Sequence, residues 1–90
     1  MSYRLRFTPQ VDKQIRKLDP TVSNRIRTFL SRLDLDNPRS QGAALVGDSR
    51  IWGYRVGDYR ILASISDQEL LILILEIGHR GQVYRKKSAN

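Results

Sequence analysis

A two-residue turn at Gly57-Asp58 constrains this chain more than any other feature of its sequence. Glycine followed by aspartate between two β-prone segments is typical of a β-hairpin loop, in which glycine supplies the positive φ. The sequence therefore predicts antiparallel strands over residues 51–56 and 59–66.

The hairpin register decides which face of the sheet each side chain occupies, because side chains alternate between faces along a strand. Counting outward from the turn places Arg55 directly opposite Arg60. Like charges in that arrangement destabilise a sheet by a few tenths to about 1 kcal/mol. The pair therefore indicates an anionic ligand bound between the two guanidinium groups. The other face is predicted to be apolar and to carry Trp52, Tyr54, Val56, Tyr59, Ile61, Ala63 and Ile65.

The N-terminal third predicts one strand and two helices. Residues 3–7 alternate apolar and polar side chains, as expected of a strand with one buried face. Thr8-Pro9 and Asp19-Pro20 each combine an N-cap residue with proline at the first helical position. The short connection predicts an antiparallel helical hairpin. Its buried stripes comprise Val11, Ile15 and Leu18 in the first helix, and Val22, Ile26, Phe29, Leu30 and Leu33 in the second.

The region between the helices and the hairpin shows no sustained period. The second helix should end near residues 34–37, because the residue before Pro38 disfavours helix. Residues 38–50 are predicted to form a surface loop.

Residues 69–77 are apolar on both parities, which predicts a central strand covered on both faces. Continuing the alternation places His79 on the same face as Arg60, in line with Leu71, Leu73, Leu75 and Ile77. The predicted order is β-α-α-β-β-β. It indicates an α+β fold with a small, mostly antiparallel sheet, a helical hairpin packed on one face, and a single domain over residues 1–90.

The amino-acid composition limits which partners the chain can bind and which catalytic sites it can form. The net charge of +7 and the excess of arginine over lysine, twelve to four, favour a phosphate-rich partner, although a basic solubilising surface is an equal alternative. One histidine and no cysteine leave no metal site, and no cofactor motif is present. No membrane span or signal-peptide core is found, so we expect a cytoplasmic protein.

The remaining candidates are Arg55, Arg60, His79, Arg80 and Tyr84. Together they predict a cationic cleft that grips a phosphodiester and stabilises charge developing on it. Tyr84 is placed to stack on a base. His79 and three residues of the basic tail, Arg85, Lys86 and Lys87, are the candidate RNA-binding residues. Lys86 and Lys87 are more typical of a frayed solvated terminus.

Two segments, WGYRVGDYRIL and EIGHRGQVY, resemble the signature half of the RelE/ParE superfamily of bacterial and archaeal type II toxins, on its RelE side. The similarity extends over nearly the whole chain, including LDP between the helices and NP after the second one. It implies a ribosome-dependent, metal-independent mRNA endonuclease that is held in a hetero-oligomer by an acidic, RelB-like antitoxin.

The resemblance also implies roles for individual residues. The nucleotide 2′-OH would attack the adjacent phosphate, leaving a 2′,3′-cyclic phosphate. Arg60 would stabilise the transition state, Arg80 would protonate or neutralise the leaving oxygen, and Tyr84 would orient the nucleotide. Arg55 stands where the family often has a basic residue that activates the 2′-OH.

The sequence does not identify the general base, since arginine at position 55 is too weak a base. Gly53 replaces a lysine of the best-known members, and His79 is an alternative base. The sequence is also compatible with two other functions: a ParE-like inhibitor of DNA gyrase, and a non-catalytic basic RNA-binding module.

Overall fold

The structure is a computed structural model that describes residues 2–45 and 48–79 of the chain, with no side chains for 48 and 49. Five strands, two α-helices and one 3-10 turn make up this part. In chain order they are β1 (Arg4–Phe7), α1 (Pro9–Lys17), α2 (Pro20–Ser31), the 3-10 turn (Pro38–Ser40), β2 (Ala43–Leu45), β3 (Asp48–Val56), β4 (Tyr59–Ser66) and β5 (Leu71–His79).

Both helices begin where the sequence predicts. The Thr8 hydroxyl accepts a hydrogen bond from the Val11 N–H at 3.2 Å, and the Asp19 carboxylate accepts one from the Thr21 N–H at 2.9 Å. Each cap satisfies a backbone donor that the first helical turn leaves open, while the following proline has no N–H to satisfy. Helix α2 ends at Ser31, three residues before the predicted limit.

The strands form one sheet in the order β1-β5-β4-β3-β2. Strand β1 runs parallel to β5, and every other neighbouring pair is antiparallel. The α+β class and the mostly antiparallel sheet are therefore confirmed. The position of β5 between β1 and β4 also agrees with its apolar residues on both parities.

The prediction of a surface loop over residues 38–50 is wrong. This stretch contains the 3-10 turn, the additional edge strand β2 and the first residues of β3. Strand β2 pairs Ala43 with Gly53 and Ala44 with Trp52. Three residues are too few to show alternation, so only pairing with β3 reveals this strand.

The core lies between the helices and one face of the sheet. Helix α1 packs on β5 and β1, whereas α2 packs on β3. Fully burying an aliphatic side chain contributes about 1.5–3 kcal/mol, so this single layer provides most of the hydrophobic stabilisation. Its buried members are Val11, Ile15, Ile26, Leu30, Leu33, Tyr54, Ile61, Ala63, Ile65, Ile72, Ile74 and Ile77.

Candidate functional site

The β3–β4 hairpin presents two arginines on the face of the sheet away from the helices. Its register is the predicted one, with Arg55 paired to Arg60 and Tyr54 to Ile61. Gly57 has a φ of +59°, which the tight turn requires. Tyr54 and Ile61 are fully buried under the helices, so the two arginines point to the opposite side. Arg55 is exposed and Arg60 is half-buried.

A β-bulge in β5 overturns the predicted placement of His79. Leu62 pairs with Glu76, but the next residue, Ala63, pairs with Ile74, so Leu75 is an extra residue. One extra residue reverses the alternation beyond it.

Beyond the bulge, the side chains of β5 therefore change faces. Ile77 is paired with Ile61 and is buried in the core, and His79 is paired with Tyr59. The rings of His79 and Tyr59 meet edge-on, with centroids 5.8 Å apart. The predictions that Ile77 and His79 share the face of Arg60 are therefore wrong.

The same bulge brings a carboxylate to the arginine face, which sequence reasoning missed. Gly78 lies opposite Arg60, and Glu76 lies opposite Leu62. Glu76 therefore shares a face with both arginines and is half-buried. A signal for this was available: regular alternation would have put a charged residue on the core face of the sheet.

Glycines stand at the ends of two cross-strand rows on this part of the face. The two cross-strand rows are Arg55–Arg60–Gly78 and Gly53–Leu62–Glu76. A Cβ added to Gly53 would meet its nearest neighbours at 3.8 Å, an ordinary van der Waals contact. The missing side chain at Gly53 is therefore not a packing requirement, and the middle of its row is filled by Leu62, which is fully buried.

Helix α1 holds the strand end that follows the bulge. Strand β1 stops at Phe7, which pairs with Ile74, so the later residues of β5 have no β1 partner. There the Ile77 N–H donates a hydrogen bond to Oε1 of Gln14 at 2.9 Å. A helix side chain thus takes the place of a strand partner and fixes the end of β5.

Strand β3 is held to the preceding segment by two aromatic side chains. The Tyr54 hydroxyl donates to the Pro38 carbonyl at 2.7 Å, and the Trp52 Nε1–H donates to the Gln41 carbonyl at 2.6 Å. Burial raises the pKa of Tyr54 to about 12, so this hydroxyl remains a donor at neutral pH. The pairing and these two bonds keep the arginine pair on a rigid support.

Acidic residues gather at the other end of β4, six residues or about 20 Å from Arg60. There the Arg39 guanidinium donates to Asp67 at 2.8 Å, and the Tyr3 hydroxyl donates to the same carboxylate at 2.6 Å. The hydrogen bond from Arg39, supported by that from Tyr3, lowers the pKa of Asp67. The Ser2 hydroxyl donates to Asp36 nearby, which adds a second carboxylate to this end.

A groove of about 670 Å³ lies between α2 and β3. Its lining combines two apolar residues, Phe29 and Val56, with two arginines and four polar residues. A smaller cavity, also bordered by Arg25 and Val56, continues toward Tyr59. The groove is lined by Thr21, Asn24, Arg25, Thr28, Phe29, Arg32, Gln41 and Val56.

The other candidate residues, Arg80, Tyr84, Arg85, Lys86 and Lys87, lie outside the described residues. Within residues 2–45 and 48–79, no three histidine or acidic side chains come together as metal ligands. No helix in this part of the chain is long and apolar enough to cross a membrane.

Comparison with known proteins identifies the family. The model of the ParE toxin family, from type II toxin–antitoxin systems (parDE), matches residues 5–84. Toxin RelG of Mycobacterium tuberculosis is 31% identical over 90 residues, which cover 96% of this chain and 100% of that protein.

Solved toxin structures share the fold. The toxin–antitoxin complex RelBE2 of M. tuberculosis matches with a TM-score of 0.76 and 28% identity, covering 89% of this chain and 93% of that one. The archaeal RelE–RelB complex of Pyrococcus horikoshii matches with a TM-score of 0.73 and 29% identity, covering 91% and 99%. A double mutant of E. coli toxin RelE in the free state matches with a TM-score of 0.77 and 25% identity, covering 94% and 93%. The chain therefore belongs to the RelE/ParE family of toxins from type II toxin–antitoxin systems.

Proposed function

We propose that this toxin is a single catalytic domain that cleaves mRNA on the ribosome, and so acts in the cytoplasm. The observation that supports this most is the direct pairing of Arg55 with Arg60 on the sheet face opposite the helices. Two guanidinium groups on adjacent strands can hold both non-bridging oxygens of one phosphodiester.

In the proposed reaction, the 2′-OH of the nucleotide attacks the neighbouring phosphorus atom and the 5′ oxygen leaves. Negative charge grows on the non-bridging oxygens in the transition state. Arg60 stabilises that charge, and Arg55 binds the same phosphate. The family motifs assign Arg80 to the leaving oxygen and Tyr84 to stacking on the nucleotide. The remaining basic residues of the tail are assigned to binding of the RNA backbone: Arg85, Lys86 and Lys87. No step in this scheme uses a metal ion.

The two arginines cannot take up the proton of the 2′-OH, because arginine side chains stay protonated at neutral pH. Positioning of mRNA by the ribosome should then supply most of the acceleration. We expect the free protein to cut naked RNA at least a hundredfold more slowly than the same mRNA in the ribosomal A site. Equal rates with and without ribosomes would exclude the ribosome-dependent mechanism.

The proposal is tested by inducing the wild type and the Arg60→Ala variant in cells and mapping mRNA ends. We expect codon-phased cuts with the wild type and none with Arg60→Ala. Arg27→Ala, which removes an exposed charge from α2, is the matched control and should cut normally. Wild-type cells with intact mRNA would overturn the proposal.

Gyrase inhibition is the second candidate, because the matching family model describes ParE toxins. It predicts altered DNA supercoiling and DNA damage with intact mRNA. Measuring plasmid supercoiling in the same cells separates the two functions.

The toxin is further proposed to pair with a cognate acidic antitoxin, as the RelE chains in the solved complexes pair with RelB. The lining of the groove between α2 and β3 includes Phe29, Val56 and two arginines, which suit an acidic amphipathic segment. Arg25→Ala combined with Arg32→Ala should weaken antitoxin binding at least tenfold in calorimetry, whereas Arg27→Ala should not. Unchanged affinity would place the antitoxin elsewhere.

A further inference from the structure

Glu76 is a half-buried carboxylate that the bulge in β5 places among the arginines of the site. It lies directly opposite Leu62, and Leu62 lies directly opposite Gly53. Arg60 is therefore its diagonal neighbour on the adjacent strand, about 7–8 Å away, with the Cβ atoms somewhat closer. Side chains of these lengths can reach one shared ligand from that separation.

A negative charge here works against the binding of a polyanion, so binding alone does not explain it. An ionised carboxylate accepts protons and hydrogen bonds but donates none. Because the proposed reaction needs a proton acceptor, the chemistry of the residue matches the step that Arg55 and Arg60 cannot perform.

We infer that Glu76 is the general base of the cleavage reaction, an assignment that rests on the proposed nuclease function. The Glu76 carboxylate takes the proton of the 2′-OH as the bond from the 2′ oxygen to phosphorus forms. The bond from phosphorus to the 5′ oxygen then breaks, and that oxygen takes a proton from water. Arg60 holds the non-bridging oxygens throughout.

The alternative bases are less suited to this step. A guanidinium group is too weak an acid to give the free base that this step needs, which excludes Arg55. His79 belongs to the helix-side face, where it contacts Tyr59. Gly53 has no side chain and therefore offers no base.

The test measures single-turnover cleavage of mRNA on programmed ribosomes at saturating toxin, as a function of pH. For the wild type, the rate should rise with pH as the proton acceptor loses its proton and then level off. Glu76→Gln should lower the plateau rate at least a hundredfold and lose that rise, with a half-saturating toxin concentration within threefold of wild type. Glu76→Asp keeps a carboxylate and should keep the rise, with a smaller loss of rate.

Glu69→Gln is the matched control, because it removes one exposed carboxylate from the turn before β5. It should cleave like the wild type. Thermal unfolding checks that each variant is folded, and if Glu76→Gln is not, the pH profile of Glu76→Asp decides.

Three results would overturn the assignment. Glu76→Gln could cleave within fivefold of wild type, or keep the wild-type pH profile, or change only the half-saturating concentration. The last two would be expected if Glu76 merely formed an ion pair that offsets the arginine repulsion. A wild type that leaves ribosome-bound mRNA intact would instead remove the proposed function itself, and the assignment with it.

Discussion

Replacing Arg55 with glutamine should make the protein more stable while it weakens cleavage. Arg55 and Arg60 are direct cross-strand neighbours, and the chain already carries a net charge of +7. Two unit charges roughly 6 Å apart repel by about 0.7 kcal/mol at the dielectric constant of water. This figure lies within the range of a few tenths to about 1 kcal/mol for like charges across a ladder.

The expected gain for Arg55→Gln is therefore about 0.7 kcal/mol in the free energy of unfolding. For a domain of this size, that corresponds to a rise in Tm of roughly 3–6 °C. The assay is urea and thermal unfolding at low salt and at 0.5 M NaCl. Because the Debye length shrinks to a few ångströms at high salt, the gain should fall by more than half there.

Arg27→Gln is the matched control, since it removes one exposed positive charge from α2, away from the arginine pair. A general relief of net positive charge would stabilise both variants equally, whereas a pair interaction stabilises only Arg55→Gln. Refutation would come from an Arg55→Gln protein no more stable than wild type at low salt, or from equal gains in the two variants.

Three further predictions concern the framework of the site. Tyr54→Phe should cost about 1 kcal/mol at pH 7 through its lost hydrogen bond. Because the pKa of Tyr54 is raised to about 12, the stability that its neutral hydroxyl contributes is complete below pH 10 and is lost as the pH rises to 12. Over that range, urea unfolding should show that the free energy of unfolding of the wild type falls by up to about 3 kcal/mol, and that of Tyr54→Phe by less. The lowered pKa of Asp67 gives a contribution that is present above the ordinary aspartate pKa and lost as acid is added, so Asp67→Asn should flatten the acid limb of a Tm-versus-pH curve. Gly42→Ala should lower the urea midpoint more than Gly57→Ala: both residues have positive φ, but an added Cβ clashes with backbone only at Gly42.

The hairpin could be predicted from the sequence because its determinants are local. A two-residue turn fixes the register of the strands beside it, and the pairing of Arg55 with Arg60 follows by counting. Helix starts at Thr8-Pro9 and Asp19-Pro20 were predictable for the same reason, since a cap and its proline are sequence neighbours.

The bulge, strand β2 and the position of Glu76 depend instead on contacts between segments that are distant in the sequence. The bulge at Leu75 directly follows Ile74, the last residue of β5 that pairs with β1, and it is visible only in the pairing of β5 with β4. No residue type in the strand specifies it. Strand β2 likewise depends on its pairing with β3. The sequence did give one warning, because regular alternation would place Glu76 on the core face, where a carboxylate is costly unless it is paired.

The bulge determines which chemistry the sheet can offer. Before Leu75, the side of β5 away from the helices carries leucines, which bind no phosphate; after it, the same side carries Glu76 and Gly78 beside Arg60. Without the extra residue, Glu76 would enter the core and Ile77 would lie against the arginines. An apolar side chain there would neither bind phosphate nor accept a proton. One inserted residue thus serves both requirements of the domain, because it keeps Ile77 in the core and brings a carboxylate to the guanidinium groups. Shifting the bulge would therefore harm stability and cleavage together, which distinguishes it from Arg55→Gln, where the two effects oppose each other.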